Sequence, residues 1–208
     1  MIRYGIFLLS ILLFFNGFFP ISKTSQSFKN DPPKDMLPVN DTYAPVVSKL
    51  VLVVIDALRL DFVNSQLMPL TSRLSRGNGC SNNVSVQTPT VTMPRIKALI
   101  AGNVPQFIDI VLNLASTEQL KDSLIHSAYN SNKKIVFYGD DTWLKLFPSY
   151  FWRYEGTNSF YVRDFEEVDH NVTRNVLKEI EVKDWDIMIL HYLDKNSCSN
   201  MEILLVTG

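Results

Sequence analysis

Three stretches of the chain are apolar almost without interruption. LVLVVI fills Leu50 to Ile55 between Lys49 and Asp56. IVFY fills Ile135 to Tyr138 after Lys133 and Lys134, and IMILHY follows Asp186. Unbroken runs of this length, rich in β-branched residues, mark strands covered on both faces. Between them the apolar period lengthens to that of a helix. Thr92 to about Ile100 reads as a helix closed by Gly102, Leu114 to Asn130 contains an amphipathic helix around TEQLKDSLIH, and Val168 to Glu181 also reads as helical. Met201 to Gly208, MEILLVTG, reads as one more buried strand. Helices alternating with apolar strands predict an α/β fold with a mostly parallel sheet flanked by helices. No internal repeat or low-complexity segment interrupts this pattern.

The N-terminus follows another pattern. From Gly5 to Ser22 the chain is uncharged and strongly apolar, slightly shorter than the roughly 20 residues of a comfortable membrane span. No small-x-small cleavage site follows it. The expectation is a signal anchor over residues 1–22, with a cleaved signal peptide or a buried helix as alternatives. Arg3 before it and Lys23 and Lys29 after it orient it poorly. Residues 23–48 are polar and contain DPP and LP, as a linker would, leaving 49–208 as the domain. Asn40, Asn83 and Asn171 each open an N-x-S/T sequon, which favours a lumenal domain carrying glycans.

Composition excludes more than it identifies. Lys and Arg number 20 against 21 Asp and Glu, so the basic bias that nucleic-acid binding needs is missing. Cys80 and Cys198 are the only cysteines, too few for a disulfide framework.

Ligands of parallel α/β sheets bind beyond the carboxyl ends of the strands, and Asp56 stands there. It is placed to hold a cation, to cap the next helix or to pair with Arg59. Thr92 has a similar double reading. It can cap the helix, with Pro94 in the first turn. It can also act as a nucleophile where the helix N-terminus favours an anion. Asp140 and Asp141 suit a turn, or a metal or substrate contact. His191 suits a structural strand position. Arg95 and Lys97 can face a phosphate or form a solvated helix face. Met93, Trp143 and Trp185 read as packing residues.

Together, VVIDALRLDF, TPTVTMPRIKALIAG, KKIVFYGDDTWLKLFP, SFYVRDFEEVDHNVTRNV and DWDIMILHYL resemble, in that order, the lumenal domain of GPI ethanolamine phosphate transferases, nearest the type 2 branch. The resemblance covers about Lys49 to Leu193. It implies an alkaline-phosphatase-like fold in the endoplasmic reticulum membrane. It implies transfer of phosphoethanolamine from phosphatidylethanolamine to a mannose of the GPI precursor, the second mannose for the type 2 branch. A stabilising membrane subunit is a further implied partner. By motif position, Thr92 corresponds to the nucleophile and a zinc contact, and Asp56 to a zinc ligand, in a site of two zinc ions.

The chain also departs from that family. Where the family continues with Gly-Leu-Asp-His-x-Gly-His, this chain reads DKNSCSN from Asp194 to Asn200. The family's last strand runs into Gly-Asp-His-Gly, whereas this sequence ends at Gly208. The expectation is a partial, incomplete catalytic domain, inactive by itself. A phosphodiesterase-type hydrolase and a non-catalytic membrane-anchored binding protein are the alternatives.

Overall fold

The computed structural model describes residues 2–18, 47–77, 79–86, 90–102, 122–158 and 165–193. In chain order the elements are α1 (Ile2–Phe18), β1 (Leu50–Ile55), a 3-10 turn (Leu60–Phe62), α2 (Pro69–Arg76), α3 (Thr92–Ala101), α4 (Leu124–Asn130), β2 (Ile135–Asp140), α5 (Thr142–Leu146), β3 (Arg153–Thr157), α6 (Phe165–Val182) and β4 (Ile187–Tyr192). They fall into two compact units, Met1–Ala44 with Gln87–Glu118 and Pro45–Val86 with Gln119–Gly208.

The second unit carries a four-stranded sheet in the order β1-β4-β2-β3. All three pairings are parallel. The α/β reading with a parallel sheet is therefore what the chain forms. β2 is buried at every residue and β4 at all but its first, as unbroken apolar runs require. Side chains alternate between the two faces. On one face Val136, Tyr138, Met188, Leu190 and Tyr192 pack with Val172 and Val176 of α6 and with Trp185. On the other, Phe137 meets Trp143 of α5 at 5.6 Å between ring centroids and Phe151 at 5.1 Å. Beyond the β2–β4 register pair Tyr138↔Leu190, Gly139 runs close to His191. A Cβ at Gly139 would lie 2.7 Å from that of His191, and its φ of +144° also favours glycine.

β3 was not visible in the apolar pattern. Its RYEGT alternates half-buried and exposed positions, as an edge strand does. α2 and α5 were likewise not expected. The helix expected over Leu114–Asn130 begins, among the described residues, at Leu124. Ser123 caps it by accepting from the His126 N–H at 3.2 Å. The strand expected over Met201–Gly208 and the contrast region at Asp194–Asn200 lie outside the described residues.

In the first unit, α1 has 17 residues, about 25 Å of helix. Ile6, Leu12, Leu13 and Phe14 are exposed. No helix among the described residues is long and apolar enough to cross a membrane. The helix described, Ile2–Phe18, lies within the segment expected as a signal anchor or signal peptide, and residues 19–46 lie outside the described set. α3 ends as expected at Gly102, whose φ of +67° lets its N–H reach the Ala98 carbonyl at 2.9 Å.

Candidate functional site

At the carboxyl end of the sheet, four titratable groups converge from four elements. Asp56 follows β1, and its N–H donates to the Tyr192 carbonyl at 2.9 Å, which extends the parallel ladder by one step. Its Oδ1 accepts from the Ala57 N–H at 2.9 Å. Ala57 is held at φ +52°, in the left-handed region that costs a residue with a Cβ roughly 1–2 kcal/mol. Arg59, offered as the ion-pair partner of Asp56, forks instead onto Asp61 at 2.7 and 2.9 Å.

Asp140 ends β2 and is buried, with Oδ1 accepting from the Thr142 N–H at 2.9 Å. This is the turn role. Asp141 takes Lys145 at 2.8 Å, four residues on. Asp169 of α6 is also buried, and its Oδ1 accepts from the Leu193 N–H at 2.8 Å, fixing the end of β4.

His191 lies among these carboxylates. It is 1% exposed, edge-on to Trp143, and its Nδ1 has no hydrogen-bond partner. Burial pushes its pKa below the ordinary imidazole value, while the charges of Asp56, Asp140 and Asp169 pull the other way. The other histidines stand apart from this group. His126 Nδ1 lies 2.8 Å from the Tyr150 hydroxyl, and His170 is exposed.

Thr92 belongs to the other unit. It is the first residue of α3, with Val91 in the N-cap position and contributing no side-chain cap. The N-cap position expected at Thr92 is thus occupied by Val91, and the threonine stands in the first helical turn. Pro94, Ile96 and Ile100 are the buried residues of this helix. Arg95 has Nε and Nη2 buried with no hydrogen-bond partner.

Among the described residues, no group of three or more His, Cys, Asp or Glu side chains is arranged to hold a metal ion. Asp140 and Asp169 spend carboxylate oxygens on backbone N–H groups. The described donors therefore do not fit a two-zinc site by themselves.

The sequons separate by environment. Asn83 is exposed in a stretch without regular secondary structure, and Asn40 lies outside the described residues. Asn171 sits inside α6, where Nδ2 donates to Glu155 at 2.6 Å and Oδ1 accepts from Arg174 at 2.6 Å.

A second polar cluster, which the sequence reading missed, ties α6 to the sheet. Arg153 of β3 donates to Glu179 at 2.5 and 2.9 Å and to Asp184 at 2.5 and 3.0 Å. Tyr138 donates to Glu179 at 2.6 Å. Burial pushes the Glu179 carboxyl up, but Arg153 and Tyr138 outweigh it and leave the group below its ordinary value. Burial and the Glu179 carboxylate both raise the Tyr138 phenol.

Three relatives frame these residues. GPI ethanolamine phosphate transferase 2, catalytic subunit, of Homo sapiens is 45% identical over 199 residues, covering 89% of this chain and 20% of its own length. The Eremothecium gossypii GPI ethanolamine phosphate transferase 2 is 46% identical over 197 residues, covering 89% of this chain and 24% of its own. Its Schizosaccharomyces pombe namesake is 44% identical over 205 residues, at 91% and 26%. The chain is homologous to part of the type 2 GPI ethanolamine phosphate transferases. It spans a fifth to about a quarter of their length. No family model and no solved structure matches it. The resemblance to the type 2 transferases carried by the ordered motifs is thus borne out from human to fungi.

Proposed function

We propose that this chain is a portion of a phosphoethanolamine transferase of GPI-anchor assembly, with an alkaline-phosphatase-like fold. In this reading phosphatidylethanolamine is the donor and a mannose of the GPI precursor, the second, is the acceptor. Thr92 Oγ forms a bond to the donor phosphorus as the bond to the diacylglycerol oxygen breaks. The threonine loses its proton and the diacylglycerol oxygen gains one. A mannose hydroxyl then attacks the same phosphorus, loses its proton, and returns Thr92 to the hydroxyl form. The first turn of α3 contributes N–H groups and a positive dipole end where the oxyanion charge develops.

The observation that carries the proposal is identity above 40% across nearly the whole chain to three type 2 transferases. The same reading places the domain in the endoplasmic reticulum lumen, carrying glycans, beside the membrane. The human relative's name, a catalytic subunit, supports a further membrane subunit as partner. Two zinc ions belong to the proposal, with Asp56 and Thr92 as contacts and their other ligands coming from residues beyond those two.

We infer that the 208 residues alone do not turn over, because DKNSCSN stands where the family carries ligands. The test is rescue of GPI ethanolamine modification in cells lacking the type 2 transferase. A full-length relative in which residues 49–193 of this chain replace the homologous segment, so that it keeps its own ligands beyond that point, restores the modification, and Thr92→Ala in the chimaera abolishes it. The chain alone restores nothing. Rescue that survives Thr92→Ala would sink the assignment. Purified chain that binds zinc stoichiometrically and turns over donor would sink the inactivity.

A further inference from the structure

Asp169, near the start of α6, has no part in the transfer chemistry above. It is 1% exposed. A carboxylate taken out of water is costly, and packing alone is met by apolar side chains such as its buried neighbours Val168 and Val172. The partner of Asp169 shows what the polar group does. Its Oδ1 accepts from the Leu193 N–H at 2.8 Å. That N–H belongs to the same peptide unit as the Tyr192 carbonyl, which accepts from the Asp56 N–H at 2.9 Å. A peptide unit is planar and close to rigid. Asp169 and the backbone of Asp56 thus hold opposite edges of one plane, and a displacement of that plane carries Asp56 with it. α6 grips the same stretch a second time. Thr173 Oγ1 donates to the Asp169 carbonyl at 2.9 Å and lies 3.5 Å from the hydroxyl of the fully buried Tyr192. On its other side Asp56 is set by Ala57, whose N–H donates to Asp56 Oδ1 at 2.9 Å.

We propose that Asp169 is a positioning residue for Asp56: through the Tyr192–Leu193 peptide it fixes where the Asp56 backbone stands at the carboxyl end of the sheet. The assignment rests on the transferase reading for giving Asp56 a part in phosphoryl transfer. The mechanical link from Asp169 to Asp56 stands independently of that reading.

Amide hydrogen exchange of the full chain, read by NMR, and steady-state transfer by the purified chimaera test it together. Asp169→Ala leaves the amides of Val136–Tyr138 and Met188–Leu190 as slow as in wild type, while those of Leu193 and Asp56 exchange at least about tenfold faster. In the chimaera the same change lowers kcat about tenfold to a hundredfold and keeps KM for phosphatidylethanolamine within about twofold, as misplacement of a group in the site does. Asp169→Asn keeps an oxygen for the Leu193 N–H and retains both the protection and most of kcat. If Asp169→Ala does not fold, Asp169→Glu, which moves the carboxylate by one methylene, takes its place with the same losses expected. Faster exchange at Leu193 with Asp56 unchanged breaks the link and overturns the proposal. Faster exchange spread evenly through β2 and β4 also overturns it, because that marks a residue of general stability. If both amides are freed but kcat of an active chimaera is unchanged, the positioning role falls and the transferase reading stands. If the chimaera with Asp169 intact transfers nothing while Asp169→Ala still frees both amides, the transferase reading falls and the link stands.

Discussion

Ala57 shows how a single position can be held against its own preference. Its φ of +52° keeps the Ala57 N–H on the Asp56 carboxylate and the Asp56 N–H on the Tyr192 carbonyl. Left-handed backbone is cheap only for glycine. Ala57→Gly therefore leaves stability unchanged or raises it by up to about 1 kcal/mol, as chemical denaturation would show, whereas Ala57→Val lowers it. The place of Asp56 at the carboxyl end of β1 was readable from sequence because an acidic residue directly follows the apolar run, while its role stayed open among cation ligand, cap and ion pair. Asp169 was not readable. Its partner is the amide of Leu193, 24 residues away, and nothing local records that bond. Arg95 was readable only as a choice between solvent and phosphate, because helical spacing alone does not say which face is covered. Asn171 stood out as a sequon, yet its Nδ2 already serves Glu155. Asn171→Ala removes that bond and costs about 1–3 kcal/mol. Asn83→Gln, at an exposed site, leaves stability within about 0.5 kcal/mol.

At the scale of elements, α6 is fastened to the sheet by the apolar packing of Val172 and Val176 and, farther along the helix, by Glu179 with Arg153 and Tyr138. Glu179 has a folded pKa below its unfolded value of 4.5. Its contribution is therefore complete above about pH 4.5 and is lost as pH falls through the lower folded value. Glu179→Gln costs about 1–3 kcal/mol at neutral pH. Its stability deficit relative to wild type stays constant between pH 7 and 5 and shrinks below that. Urea melts of both proteins across this range give the answer, and a deficit that grows on acidification contradicts the clamp. β3 escaped the sequence pattern for a related reason. An edge strand need bury only one face, and RYEGT commits its charged residues to α6 instead of to an apolar run.

The sheet sets the hierarchy of the whole second unit. β4 and β2 are flanked on both sides, while β1 and β3 each pair with one described strand. Leu50 and Val51 of β1 are 40% and 48% exposed. Backbone amides at Val136–Tyr138 and Met188–Leu190 thus exchange slowest, and those of β1 and β3 faster, as hydrogen-exchange mass spectrometry would read. Slower exchange in β1 than in β4 contradicts this order. Trp143→Ala, which empties the aromatic layer under β2, costs about 3–5 kcal/mol in a denaturation experiment. The parallel α/β class was legible because its central strands are buried on both faces. Strand order was not, since the pairing of β1 with β4 joins segments that no local pattern relates.

That pairing also has a consequence in time. A ribosome releases Leu50–Ile55 early, but the strand's described partner, Ile187–Tyr192, emerges only after more than a hundred further residues. At ordinary synthesis rates the delay is on the order of ten seconds. During that interval β1, apolar along its whole length, has to be shielded by something other than its own sheet.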